Sequence, residues 1–127
     1  MIVVDASAAV SALLNAGPAR RALAEEQVHV PHLIDPEVAN ALRRGVASSR
    51  VEPGDAWTAL GRWRRLGMSR YAVFHQLERV WELRENLSAY EASYVALAES
   101  LGCALLTADG RLASAPGLRC PVIVVPR

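Results

Sequence analysis

Ile2-Val3-Val4 stops on Asp5, and about a hundred residues later Leu105-Leu106-Thr107-Ala108 stops on Asp109. Both are short apolar runs closing on an acid, the pattern of a strand buried on both faces whose end reaches the rim of a sheet. Strand-like runs recur at Val28-His29-Val30, at Arg70 to Val73 and at Pro121 to Val125, and helical patterns fill the intervals. Apolar strands that alternate with helices argue an α/β fold, a parallel sheet covered on both faces.

The helices are read from their ends. A small-residue helix over Ala6 to Asn15 stops at Gly17, and Pro18 opens a second at its first position, running to about Gln27. Asp35 caps a third, with Pro36 at its first position and Val38, Ala41, Leu42 and Val46 at helical spacing. Pro53-Gly54-Asp55 starts a fourth that runs through Trp57, Leu60 and Trp63 to Leu66, and Phe74 to Arg84 is amphipathic. Ser88 opens a helix that ends at Gly102, ahead of a strand over Cys103 to Leu106 and a short helix over Gly110 to Ala115.

At 127 residues the chain fits one domain, residues 1–127, and burying roughly two-thirds of its unfolded surface gives it one core. A net charge of +1 excludes a polybasic protein, but seven of the fourteen Arg lie between Arg43 and Arg70, against only Glu52 and Asp55 there. There is no Lys. Cys103 and Cys120, with no CxxC and no His nearby, read as small buried thiols rather than a zinc site. Met1 leads directly into a strand without a basic n-region, and no apolar run nears the ~18 residues that span a bilayer. The expected location is cytoplasmic, with no membrane partner.

In an α/β sheet the carboxyl ends of the strands, and the helix starts that follow them, share one edge. Asp5 and Asp109 belong there. So do Glu37, in the first turn after Ile34-Asp35-Pro36, and Glu91, in the first turn after Ser88-Ala89-Tyr90. Four carboxylates with no Lys among them repel one another unless a hard cation such as Mg2+ sits between them. That combination points to metal-dependent phosphodiester chemistry.

Each acid also has a structural reading. Asp5 suits an N-cap and Glu37 the positive end of a helix dipole. Ser88-x-x-Glu91 is a capping box, and Asp109 suits the cap of the helix after it. Ser7, Asn40 and Thr107 stand where they support the acids through hydrogen bonds. Arg62, Arg64 and Arg65 are candidate RNA-phosphate contacts, with a solvated helix face as the alternative. Both readings stand for each of these positions.

The chain resembles a known family. Ile2-Val3-Val4-Asp5-Ala6-Ser7-Ala8, Pro36-Glu37-Val38-Ala39-Asn40, Asn86 through Glu99 with Tyr90-Glu91-Ala92-Ser93-Tyr94, and Leu105-Leu106-Thr107-Ala108-Asp109 look like a PIN-domain ribonuclease of the VapC toxin type. The match runs in order along the whole chain. It implies a three-layer sandwich with a five-stranded parallel sheet, a homodimer, Mg2+- or Mn2+-dependent endonuclease cleavage of RNA, and inhibition by a VapB-type antitoxin. The family's acids fall on Asp5, Glu37, Glu91 and Asp109, with Asp5, Glu91 and Asp109 as the metal ligands and Ser7 and Thr107 as supporting hydroxyls. One departure is Glu91, where the family usually carries Asp. It motivates an alternative, a catalytically weakened PIN-like module that acts through dimer and antitoxin contacts. A receiver-like signalling domain would need a Lys after a late strand, which this chain does not have.

Overall fold

The computed structural model describes residues 1–127. Five strands, β1 (Ile2–Val4), β2 (Val28–Pro31), β3 (Ser69–Tyr71), β4 (Ala104–Thr107) and β5 (Val122–Val124), form one parallel sheet in the order β3-β2-β1-β4-β5. From β1 the chain steps outward through β2 to β3, then crosses to β4 and β5 on the other side. With right-handed crossovers, that reversal sends the two sets of connecting helices to opposite faces. On one side α1 (Ala6–Leu14), α2 (Pro18–Glu25), α3 (Ile34–Ala47) and α4 (Pro53–Arg65) pack on one another. Separately, α5 (Leu77–Glu82) packs on α6 (Ala89–Leu101), which lies along β1, β2 and β4, and the short α7 (Gly110–Ala113) packs on β5. This is the three-layer α/β sandwich expected from the sequence.

Side-chain size sets how the layers close. Val3, Val4 and Leu105 of the central strands are fully buried, and α1, packed on β4, buries Ala8 and Ala9 completely, side chains small enough to let a helix axis come close. Every residue of α6 from Ala92 to Ala98 is buried, so it is a core helix with only its ends in water.

Two local expectations are corrected. The third helix starts at Ile34, not at Pro36, and Asp35 is inside its first turn rather than at its cap. Ile34 is completely buried, which fixes the turn early, and Pro36 is tolerated because first-turn N–H groups have no helical partner. The Asp35 carboxylate instead accepts from Trp63 Nε1 at 2.7 Å and from Arg70 Nε and Nη2 at 2.8 and 2.9 Å. It thereby ties α3 to α4 and to the edge strand β3. The second correction is Phe74 to Arg84, which is a 3-10 turn at Phe74–Gln76 followed by α5. Only Val80 and Leu83 of this stretch reach the core, while Phe74, Leu77 and Trp81 stand in solvent. Without one continuous buried face the segment does not hold as a single helix.

Glu99, near the end of α6, secures the far side of the molecule. Its carboxylate accepts from Arg79 Nε at 2.7 Å, Arg79 Nη2 at 3.1 Å and the Arg119 amide at 2.7 Å. Burial pushes its pKa up, but Arg79 and the Arg119 amide outweigh burial and hold it below the ordinary 4.5. A depressed carboxylate contributes stability that is present above its unfolded pKa and is lost as pH falls through the folded one. Glu99→Gln should therefore cost about 2 kcal/mol at pH 7, the scale of hydrogen bonds to a charged group at a partly screened site. The deficit in melting temperature should shrink below about pH 4.5, in a comparison of thermal melts at pH 7 and pH 3.

Candidate active site

Among all buried residues only Asp5, Ser93 and Thr107 are polar or charged, and two of those three meet at the reversal of the strand order. In an open α/β sheet the crevice outside the strand ends at such a reversal is where ligands bind. Asp5 leaves β1 there and Thr107 ends β4 beside it, with the Asp5 amide donating to the Leu106 carbonyl at 3.0 Å.

The Asp5 carboxylate is held from two sides. Ser7 Oγ donates to Oδ1 at 2.6 Å, the Ala8 amide donates to the same oxygen at 3.0 Å, and Thr107 Oγ1 donates to Oδ2 at 2.5 Å. Asp5 is thus the N-cap of α1 as well as the centre of this cluster. Each hydroxyl in turn accepts a backbone amide from the chain leaving β4: Ala108 onto Ser7 at 2.9 Å and Asp109 onto Thr107 at 3.0 Å. Burial outweighs these donors and pushes the Asp5 pKa above 3.8.

Asp109 is joined to Asp5 through Thr107, on the same edge of the sheet. It caps α7 through the Arg111 amide at 3.0 Å and pairs with the Arg111 side chain at 2.9 Å. The Arg111 guanidinium holds its carboxyl below the ordinary range. Glu37 accepts a short hydrogen bond from Tyr94 Oη, which reaches across from α6. Burial, then the Glu37 carboxylate, keeps that phenol protonated well past its usual range, and the Asp5 charge adds to the effect. Tyr94 is the residue that sequence reasoning missed. Glu91 at i and Tyr94 at i+3 share one face of α6, a spacing that was available to read. Glu91 itself forms the capping box with Ser88, with Oε1 accepting from the Ser88 amide and Oγ, both at 3.1 Å.

Ser7, Glu37 and Asn40 line a cleft of about 520 Å3 between α1 and α3. Its arginines are Arg44, Arg50 and Arg127. Arg62, Arg64 and Arg65 are exposed on α4; Arg62 and Arg65 border a groove beside α2, and Arg62 also lines one with Arg50, next to the cleft.

A carboxylate-only donor set suits a hard cation such as Mg2+ or Mn2+ in kind. In the arrangement described, no three His, Cys, Asp or Glu groups stand close enough to hold an ion. Glu37, Glu91 and Asp109 are engaged by Tyr94, Ser88 and Arg111.

A family model for the PIN domain matches residues 2–118. Ribonuclease VapC9 of Mycobacterium tuberculosis is 58% identical to this chain over 127 residues, the whole of both. The chain belongs to the PIN-domain family, among its VapC ribonucleases. PAE2754 from Pyrobaculum aerophilum superposes with a TM-score of 0.72 at 25% identity, covering 95% of this chain and 81% of its own. VapC20 of Mycobacterium tuberculosis, a sarcin-ricin loop cleaving toxin, superposes over both chains in full with a TM-score of 0.68 at 22% identity, a likeness of fold.

Two outcomes follow for this PIN domain. Asp5 has a raised folded-state pKa, so its contribution to stability is fully present below pH 3.8 and is lost as pH rises through the folded value. Asp5→Asn should therefore melt higher than the parent at pH 7, with the gap closing toward pH 3.8 in parallel melts. Tyr94→Phe removes the hydroxyl that fixes Glu37 and leaves the ring in the core. It should lower turnover by about a hundredfold, the scale of a 1 Å misplacement, while circular dichroism reports an unchanged fold.

Proposed function

We propose that this PIN domain is a metal-dependent endoribonuclease, the toxin of a bacterial toxin–antitoxin pair. It hydrolyses RNA phosphodiester bonds in the cytoplasm with Mg2+ or Mn2+ as cofactor and a VapB-type antitoxin as partner. The observation that carries the reading is the buried Asp5, ringed by donors at the strand reversal and linked through Thr107 to Asp109. No helix is long and apolar enough to cross a membrane.

Asp5, Glu91 and Asp109 would hold the ion only by drawing together from the arrangement described, Glu91 leaving Ser88 and Asp109 leaving Arg111. Glu37, with one oxygen taken by Tyr94, has the other free to order the attacking water and accept its proton. The chemistry such an ion supplies is activation of water and neutralisation of the charge that gathers on the phosphate. Ser7 and Thr107 lock the Asp5 rotamer, and Tyr94 does the same for Glu37. Preset acids of this kind need no reorganisation at the moment of reaction.

Exposed apolar surfaces support association. Phe74, Leu77 and Trp81 stand out along one stretch, and a second surface is the groove of Leu42, Val46, Ala56, Trp57 and Leu60 between α3 and α4. A second copy and the antitoxin are the proposed partners.

The capping box favours a second reading, in which Glu91 serves only its helix and the domain is a weakened module. Glu91→Gln separates the two, because Gln also fills that box position. Parent protein should cleave RNA in Mg2+ or Mn2+ and stop in EDTA, Glu91→Gln should be inactive yet folded, and Glu91→Asp should remain active. Cleavage by the Gln variant at the parental rate would return Glu91 to the role of a cap. No metal-dependent cleavage by the parent would favour the weakened module.

A further inference from the structure

Glu37, Asn40, Ala41, Arg44 and Gly45 all line the cleft between α1 and α3, at the spacing of one helical face. Acid and base thus share one stripe of α3. Seven residues separate Glu37 from Arg44, roughly 10 Å along the axis. Arg44 is therefore displaced from the reacting position, and helical side chains lean toward the N-terminus, here back toward Glu37.

Arg50 comes to the same cleft by a different route. After α3 the chain turns back on itself through Ser49, whose φ of 60° is the one left-handed conformation outside glycine. The Arg50 and Val51 amides both donate to the Gly45 carbonyl, at 2.9 and 3.1 Å. Gly45 fits this closely. A Cβ there would come within 2.9 Å of Val51 Cγ2, so a larger residue would push the Val51 side chain aside. A strained residue and a glycine contact together hold Arg50 beside Arg44, and strain of this kind persists only where the surroundings enforce it. Neither arginine has a carboxylate partner: the chain's ion pairs use Arg70, Arg79 and Arg111. Two unneutralised guanidinium groups in a cleft that ends on an acid suit a polyanion whose phosphates flank a reacting one.

Resting on the nuclease reading, we propose that this cleft is a track for single-stranded RNA, with Arg44 and Arg50 gripping phosphates to one side of the scissile bond. Guanidinium contacts of this type fix the strand's register without reading its sequence. Of the contacts expected from the sequence on α4, Arg62 lines an adjoining groove with Arg50 and so borders this path, while Arg64 and Arg65 lie off it.

Fluorescence anisotropy with a labelled single-stranded RNA, in EDTA so that nothing is cleaved, tests this across a salt series. The double variant Arg44→Gln/Arg50→Gln should bind about tenfold more weakly at low salt and lower the slope of log K against log salt by roughly 1.4, two phosphate contacts' worth on a single strand. Arg44→Lys/Arg50→Lys should keep most of the slope, and Arg64→Gln/Arg65→Gln should leave it at the parental value. A parental slope in the Arg44/Arg50 Gln variant, or its loss in the Arg64/Arg65 variant, overturns the track. Cleavage of the same RNA by the parent in Mn2+ is scored alongside, so a failed track with intact cleavage is distinguished from failure of the nuclease reading. A parent that neither binds nor cleaves RNA overturns both.

Discussion

A charged group at the end of a buried strand is the constraint around which this molecule is organised. Asp5 leaves β1 with little access to water, and an unpaired carboxylate there would cost several kcal/mol. Ser7 and Thr107 satisfy it, and each of those hydroxyls is also the acceptor for an amide of the segment leaving β4. Those four bonds join the two central strands at their exits and place Asp109, and a fifth, from the Ala8 amide to the same carboxylate, caps α1. Strand exits, helix start and candidate site thus meet at one side chain.

The sequence was most legible where local pattern and tertiary demand agree. The alternation of short apolar runs with helices gave the sheet, and the Ser88 capping box and Gly102 stop gave α6 at both ends. Asp35 misled because its local signal, an acid before Pro36, describes a cap, while its role is set by Arg70 thirty-five residues away. Phe74, Leu77 and Trp81 misled in the opposite sense. Their spacing is helical, but spacing does not say whether an apolar face meets a core or solvent.

At the candidate site, the acids and their supporting hydroxyls were readable because strand ends and helix starts share an edge by topology alone. Tyr94 was not singled out, since a Tyr within a buried helix looks like packing until its hydroxyl is seen to reach Glu37. Arg50 was equally hidden. Its place in the cleft depends on a left-handed Ser49 and on the absence of a side chain at Gly45, and neither carries charge.

The two hydroxyls around Asp5 have one proton each, and with the acid ionised both are committed to it. Ser7 Oγ and Thr107 Oγ1 nonetheless stand 3.3 Å apart, a contact that the ionised form leaves idle. When Asp5 takes up a proton, its new O–H can donate to Ser7, whose own hydrogen then turns onto Thr107. The idle contact becomes a bond and no buried group is orphaned. Ser7 also lines the cleft, so this closed ring of hydrogen bonds reaches from the buried acid to the cleft wall. The cluster can therefore house Asp5 charged or neutral with no change in the fold around it.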